Sequence, residues 1–133
     1  MFTQLVDSRV QVERFRAFGC PTINDVVALL LAGWLSSVTD DMASFEMHLC
    51  DCAIQTDGFL ELVKAFAENE AFPPIVPRYP DRGQSPLYLR LEGNYFDKEV
   101  IQENVVEGTV TIMRKTDRPC YLDDIILCVG FNF

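Results

Sequence analysis

The sequence predicts an α+β domain in which helices pack on a mainly antiparallel sheet of about four strands. Helical apolar spacing dominates the first part of the chain, and alternating apolar residues dominate the last part. The chain has 133 residues, of which 49% are apolar and 23% are charged, as expected for one globular domain. We therefore expect a single domain spanning 1–133 around one hydrophobic core.

The N-terminal segment 1–38 is predicted to be helical, although Val10–Glu13 alternates as a strand does. Its best-defined helix follows Pro21, where Thr22 can cap the first turn, and it extends to about Ser37. Apolar residues recur there over a broad helical face, which predicts deep burial. No stretch of the chain visibly copies another, so we expect no internal repeat.

The middle of the chain is predicted to form a strand and then a helix. A strand is expected over 44–54, because Phe45, Met47 and Leu49 alternate with Glu46, His48, Cys50 and Cys52 on the other face. A helix is expected over 58–69, after the turn residues that precede it. Its apolar stripe consists of Phe59, Leu62, Val63 and Phe66.

Prolines interrupt regular structure over 72–86, and loops of that length are often functional. The remainder, 87–133, is predicted to form strands, with either a short helix or an irregular edge over Asp97–Asn104. Leucine stands at every second position from Leu87 to Leu91, and Gly93-Asn94 predicts a turn after it. A further alternation from Tyr121 to Phe133 predicts a buried C-terminal strand.

The net charge of −9 comes from two segments. Thr39–Gly58 contributes −5, Glu92–Glu107 contributes −4, and the rest of the chain is neutral. If the two segments are adjacent, they form one acidic face that attracts a basic partner; on different sides they serve solubility alone. Net negative charge argues against binding to nucleic acid or to anionic membranes. The predicted partner-binding residues are Asp40, Asp41, Glu46, Asp51, Asp57, Glu92, Asp97, Glu99, Glu103 and Glu107.

The cysteines and the apolar stretches indicate a cytoplasmic protein. Five cysteines, an odd and scattered set, predict free thiols in a reducing compartment. The longest apolar stretch, Val26–Leu35, is shorter than the roughly 20 residues of a membrane-spanning helix. The N-terminus also lacks the features of a signal peptide.

Three residues with metal-binding or nucleophilic chemistry stand at alternate positions of the predicted strand, namely His48, Cys50 and Cys52. They allow the alternative of a small metal- or thiol-dependent enzyme. A structural zinc site needs four ligands, and no second closely spaced cysteine pair is present. Phosphate-loop, dinucleotide-binding and serine-hydrolase motifs are also absent. We therefore predict no cofactor, no metal and no catalytic residue.

These observations favour a non-catalytic acidic binding protein that neutralises or escorts a basic protein partner. In surface character such a protein resembles immunity proteins and antitoxins, which inhibit nuclease-like toxins, so a toxin domain is one candidate partner. Two alternatives share the same charge. They are a phage-encoded inhibitor that mimics DNA and an acidic secretion chaperone.

Overall fold

A computed structural model shows helices and short strands in alternating order. It describes residue 4 and residues 11–76, 78–84, 87–113 and 127–130, with the backbone alone at 82, 98, 111–113 and 127–130. The strands are β1 (Arg14–Arg16), β2 (Glu46–His48), β3 (Leu87–Arg90), β4 (Val110–Met113) and β5 (Leu127–Gly130). The helices are α1 (Asp25–Ser37), α2 (Thr56–Glu68) and α3 (Lys98–Val106), and short 3-10 turns cover Asp40–Met42 and Pro80–Arg82.

Every strand pairing in the sheet is parallel, and the strand order is β1-β2-β3-β5-β4. The predicted mainly antiparallel sheet of about four strands is therefore wrong, and the domain is a small α/β domain. The reason lies in the connections. A helix follows each of β1, β2 and β3 and returns the chain to the same end of the sheet. The turn at Gly93-Asn94 leads into α3 instead of closing a hairpin.

The alternating pattern suggested antiparallel pairing because, within the described residues, the helices pack on only one face of this sheet. Parallel sheets are usually covered on both faces, and their strands then contain continuous apolar runs. Here Met47, Leu87 and Leu89 are 0% exposed and belong to a core that all three helices share. Tyr88 and Arg90, which alternate with the leucines of β3, are only half-buried. Alternation of apolar and polar residues thus indicates that one face of the sheet is buried, but it does not indicate strand direction.

The helices bury the residues that their spacing predicts, with one exception. On α2, the predicted stripe of Phe59, Leu62, Val63 and Phe66 is buried, which confirms that prediction. On α1, the predicted deep burial is only partly correct. One side joins the core, whereas Val26, Leu29 and Leu30 are exposed. The cap also differs from the prediction, because Asn24 and not Thr22 accepts the first backbone N–H, from Val27 at 3.2 Å.

Three β-α units follow one another along the chain, a structural repeat that the sequence does not display. The strand register aligns β1 with β2 at an offset of 32 residues (14 to 46) and β2 with β3 at an offset of 42 (46 to 88). Equivalent residues after the three strands are Gly19, Asp51 and Gly93, and all have positive φ, at 70°, 54° and 78°. The repeat escapes sequence inspection because few positions keep the same residue and the units differ in length.

Side-chain hydrogen bonds tie neighbouring units together at one repeated position. The amide nitrogen of Asn94 donates to the carbonyl of Leu49 in the previous unit at 2.7 Å. The Asn94 side-chain oxygen accepts the backbone N–H of Ile54 at 3.0 Å. One unit earlier, the thiol of Cys52 occupies the equivalent place and donates to the carbonyl of Ala17 at 3.1 Å. The same position therefore links the first unit to the second and the second to the third.

The greater length of the second unit lies between α2 and β3, where the sequence predicts the proline-rich loop 72–86. Within the described part, an isolated antiparallel bridge joins Ile75 to Gln84. The 3-10 turn Pro80–Arg82 lies inside the stretch that this bridge closes. The loop is thus folded back on itself, and it leaves the register of β3 beside β2 intact.

Several sequence predictions concern segments that the structure describes only in part. β1 lies inside the segment 1–38 that was predicted to be helical, and that part of the prediction is wrong. Residues 1–3 and 5–10 of that segment lie outside the described part. Of the strand predicted over 121–133, only β5 is described. No helix in the described ranges is long and apolar enough to cross a membrane.

Candidate functional site

The face of the sheet opposite the helices carries polar side chains from β1, β2 and β3. Because side chains alternate along a strand, the residues between the buried positions of these strands share this face. We call them, with the residue two places beyond Arg90, the open-face cluster. It consists of Arg14, Arg16, Glu46, His48, Tyr88, Arg90 and Glu92.

Glu46 is the centre of the first half of the cluster. Arg14 Nε lies 3.1 Å from Glu46 Oε2, and an Arg16 guanidinium nitrogen lies 3.1 Å from Oε1. His48 Nε2 is 2.7 Å from the same Oε1. Burial alone would raise the pKa of Glu46, but the hydrogen bond from Arg16 and the nearby His48 outweigh burial and hold that pKa below its usual value. Glu46 is therefore an ionised carboxylate shared by two arginines.

Arg90 and Glu92 form the second half of the cluster. Arg90 Nε donates to Glu92 Oε1 at 2.7 Å, and a second guanidinium nitrogen contacts the same oxygen. The hydrogen bond to Glu92 raises the pKa of Arg90 above its usual value. Between the two halves, the rings of His48 and Tyr88 meet edge to face with centroids 6.0 Å apart. The cluster thus continues from β1 across to β3.

Two buried polar atoms of the cluster have no hydrogen-bond partner in the described part of the chain. One is Glu92 Oε2. The other is His48 Nε2, which is close to Glu46 without the alignment that a hydrogen bond requires. Most buried polar atoms in proteins are hydrogen-bonded, to protein or to ordered water. The open face therefore has hydrogen-bonding capacity that the described residues do not use.

The three residues of the alternative enzyme hypothesis do not share one face of the sheet. His48 belongs to the open-face cluster, whereas Cys50 and Cys52 are 5% and 3% exposed. β2 ends at His48, and the positive φ of Asp51 bends the chain after it. Cys52 consequently joins the core on the helix side, whereas Cys50 lies outside that core, near Glu92 and Arg90. Within the described ranges, no group of three or more histidine, cysteine or acidic residues could hold a metal ion.

The thiols in the described part are free, at Cys20, Cys50 and Cys52. Burial is the main cause that raises the pKa of Cys50 and of Cys52 above the usual thiol value. Raised pKa values disfavour the thiolate that nucleophilic catalysis needs. Cys120 lies outside the described residues, and the side chain of Cys128 is not described.

The two acidic segments meet at the loops that follow β2 and β3. The backbone N–H of Asp51 donates to the carbonyl of Glu92 at 2.8 Å. The N–H of Asp97 donates to the hydroxyl of Thr56, next to Asp57, at 3.0 Å. We call the exposed carboxylates of Asp51, Asp57 and Asp97 the acidic rim. None of them belongs to an ion pair within the described residues.

The other predicted partner-binding residues lie elsewhere. Asp40 and Asp41 are exposed in the 3-10 turn that precedes β2, so they are at the opposite end of that strand from the rim. Glu46 and Glu92 belong to the open-face cluster, where arginines already compensate their charge. The remaining three are Glu99, Glu103 and Glu107. Together with Gln102 and Val106 they line an open groove of about 500 Å³ along α3.

Sequence reasoning missed the basic and aromatic members of the open-face cluster. The charge analysis included the arginines Arg14, Arg16 and Arg90 only in the sums for the neutral parts of the chain. The pattern analysis treated Tyr88 only as one polar position in an alternating strand. The signal that could have found them is the 32- and 42-residue offset, which places polar residues at matching positions of successive strands. That offset is recognisable only after the units are aligned.

The lowered pKa of Glu46 predicts a specific pH dependence. A carboxylate with a lowered folded-state pKa contributes stability above its unfolded pKa, and the contribution disappears as the pH falls through the folded value. Glu46→Gln should therefore lose less stability than wild type between about pH 5 and pH 3. Urea denaturation at each pH measures this difference. Equal pH dependence in both proteins would show that the arginines do not stabilise the ionised carboxylate.

The fold and the open-face cluster together define a class of protein, a row of stacked β-α units whose described helices all pack on one face of the sheet. No protein-family model, curated protein or solved structure matches the chain.

Proposed function

We propose that this protein is a non-catalytic binding module that recognises a basic protein partner through the open face of its sheet and the adjoining acidic rim. The observation that carries this proposal is a polar face of a parallel sheet on which no described helix packs, since parallel sheets normally have helices on both faces. The residues there are polar, partly exposed and held in place by ion pairs. Side chains positioned in this way suit recognition, because little mobility is lost when a partner binds.

The repeat supports the same class of function. Leu89, Leu91 and Asn94 in the third unit, like Met47, Leu49 and Cys52 in the second, follow the spacing L-x-L-x-x-N/C, which resembles that of leucine-rich repeats. The offsets of 32 and 42 residues exceed the roughly 20–29 residues of that repeat. Stacked units of this type present extended surfaces for binding other proteins.

The acidic rim supports a basic partner. Asp51, Asp57 and Asp97 are exposed, and they lie where the loops after β2 and β3 run side by side. Exposed carboxylates of this kind attract opposite charge and raise the association rate. Asp51 occupies a left-handed position that glycine holds in the first and third units. Asp tolerates that conformation better than most residues, so the charge is compatible with the turn.

A toxin domain is one basic partner that such a surface would suit, and the protein would then act as its inhibitor. The partner must supply lysine or arginine side chains for the acidic rim. It must also offer polar groups to the half-exposed arginines Arg14 and Arg16 of the open face. The two demands together favour a folded protein surface or an extended basic peptide.

A peptide display experiment tests the proposed function. Lysine- and arginine-rich peptides selected on the wild-type protein should lose about tenfold or more in affinity on Tyr88→Ala, which truncates the open face. Asp51→Asn/Asp97→Asn should weaken binding about threefold to tenfold and reduce its salt dependence. Fluorescence anisotropy at several salt concentrations measures both effects.

Asp40→Asn/Asp41→Asn is the matched control, because it removes the same charge from the opposite end of β2. The control should bind the selected peptides as wild type does. If both pairs of substitutions have the same effect, net charge alone drives binding and the rim is not a site. If Tyr88→Ala leaves the peptide affinity unchanged, the open face is not part of the binding site.

A further inference from the structure

Two cysteines occupy matching positions in the first and second β-α units. The pairing of β1 with β2 aligns residues that are 32 apart in the chain (14 to 46). That register continues past the strands, because the backbone N–H of Gly19 donates to the carbonyl of Cys50 at 3.0 Å. A parallel ladder makes this bond when residue 19 lies beside residue 51. The next residues of the two units are Cys20 and Cys52, which have the same offset (20 to 52).

The backbone keeps these two cysteines side by side. Gly19 and Asp51 precede them, and both have positive φ, at 70° and 54°, so the two units turn in the same way there. Beyond the cysteines, the N–H of Ala53 donates to the carbonyl of Ile23 at 2.8 Å. Neighbouring chains of a sheet lie about 4.7–4.9 Å apart. Disulfide-bonded cysteines have Cα atoms about 4.4–6.8 Å apart, so this spacing suits a disulfide.

The side chains of the two cysteines lie on the helix side of the sheet. Cys52 belongs to the hydrophobic core, and Cys20 packs against that core. The Cys52 thiol donates to the carbonyl of Ala17 at 3.1 Å, and the Cys20 thiol donates to the carbonyl of Phe18 at 3.8 Å. The two sulfurs therefore lie against consecutive carbonyl groups of the first unit.

The ionisation of Cys52 also depends on Cys20. Burial is the main cause of the raised pKa of Cys52. Among the smaller causes, a hydrogen bond from the backbone of Cys20 lowers that pKa, and the charge of the Cys20 thiolate raises it. The charge of Cys50, only two residues away in the chain, has a smaller effect than that of Cys20. The Cys52 sulfur is thus close to both the backbone and the thiol of Cys20.

Cys50 is also buried, but it has no cysteine at the matching position of a neighbouring unit. In the 32-residue register it lies beside Phe18, and its side chain is near Glu92 and Arg90, outside the core. In the third unit, Asn94 takes the place that Cys52 has in the second. Within the described residues, Cys20 and Cys52 are therefore the one pair of cysteines at matching positions of adjacent units.

We propose that Cys20 and Cys52 form a reversible disulfide when the protein meets a low-molecular-weight disulfide. Cys20 is half-buried whereas Cys52 is 3% exposed, so the Cys20 thiolate attacks the oxidant first. A mixed disulfide forms on Cys20, and one half of the oxidant leaves as a thiol. The Cys52 thiolate then attacks the Cys20 sulfur, and the other half leaves as a thiol. Two protein thiols are oxidised, one oxidant disulfide is reduced, and the two thiol protons pass to the leaving groups.

This disulfide would connect the first unit to the second on the helix side of the sheet. It is therefore separate from the open-face cluster, and the proposal goes beyond the proposed function. The link closes a loop of 32 residues (20 to 52), which restricts the unfolded chain. The equilibrium constant for unfolding should be about 100-fold lower in the oxidised protein than in the reduced protein. Urea denaturation of the two forms measures this difference.

Peptide mapping tests the disulfide directly. Reduced protein is exposed to oxidised glutathione at about pH 8, near the usual thiol pKa, and the remaining thiols are alkylated. A protease that cleaves before aspartate then places each of the five cysteines on a different peptide. Peptides 7–24 and 51–56 should be joined through Cys20 and Cys52, and Cys50 should be alkylated on peptide 41–50. Alkylation of both Cys20 and Cys52, or a link from either of them to another cysteine instead, would overturn the proposal.

Cys52→Ser separates the two steps of the reaction. This variant should stop at the mixed disulfide and retain glutathione on Cys20, whereas wild type should retain none there. Cys50→Ser is the matched control, because it removes a neighbouring buried thiol and should still form the link as wild type does. Loss of the link in Cys50→Ser, or formation of the link at the same rate in denaturing urea, would contradict a pair that the fold brings together. None of these results alters the peptide-binding test of the proposed function, which depends on the other face of the sheet.

Discussion

Asn94→Ala is expected to lower the free energy of unfolding by about 3–5 kcal/mol, since each buried polar group left unpaired costs about 1–3 kcal/mol. The side chain makes three hydrogen bonds. It donates to the carbonyls of Leu49 and Leu91 and accepts from the N–H of Ile54, at 2.7, 2.9 and 3.0 Å. Alanine leaves all three backbone groups without this partner. Urea denaturation followed by the fluorescence of Trp34, the single tryptophan, measures the loss.

Asn104→Ala provides the comparison for Asn94→Ala. Asn104 is also buried, at 8% exposure, but its side chain donates within its own helix, to the carbonyl of Val100 at 2.8 Å. The loss there should be about 1 kcal/mol. Similar losses at both positions would show that the Asn94 bonds between units contribute no more than an ordinary buried amide.

Phe59→Ala is expected to cost about 3–5 kcal/mol, the usual range for removing a buried phenylalanine side chain. Phe59 is 0% exposed on α2. Its ring stacks on that of Phe96 with centroids 5.1 Å apart. The cavity would therefore open between α2 and the chain that leads into α3. Guanidinium denaturation measures the change in unfolding free energy.

The adjacent residue supplies the matched control for Phe59→Ala. Leu60 lies on the same helix but is 42% exposed. Leu60→Ala should change stability by less than about 1 kcal/mol, as substitutions near the surface generally do. Equal effects of the two substitutions would contradict the assignment of Phe59 to the core.

The helices and the buried side of the sheet were largely predictable from periodicity. Phe59 and Leu62 on α2, and Leu87 and Leu89 on β3, occupy the core positions that their spacing indicates. Strand direction was not predictable in the same way. Alternation is produced by any sheet with one open face, and direction depends on the connections. The turn signal at Gly93-Asn94 is therefore compatible with both a hairpin and the start of a crossover connection.

The candidate site was predictable only in part. Its acidic residues follow from charge counting, but their distribution depends on which loops the parallel register places side by side. Register brings Asp51 beside Glu92 and leaves Asp40 at the far end of β2. The arginines of the open-face cluster were hidden because their charge is cancelled within the same region. The net charge of a segment cannot reveal arginines whose charge is cancelled by acidic residues of the same segment.

The row of units also determines how cooperative the domain is. The strongest contacts between elements join sheet neighbours or adjacent helices, so the coupling is close to one-dimensional. In such a system an end unit can unravel while the rest persists, whereas loss of a central unit divides the structure. β2 pairs with both β1 and β3, and it is the junction through which those two strands are coupled. Two of its three residues, Glu46 and His48, also belong to the open-face cluster. The strand that couples the units during folding therefore also supplies side chains to the proposed binding surface.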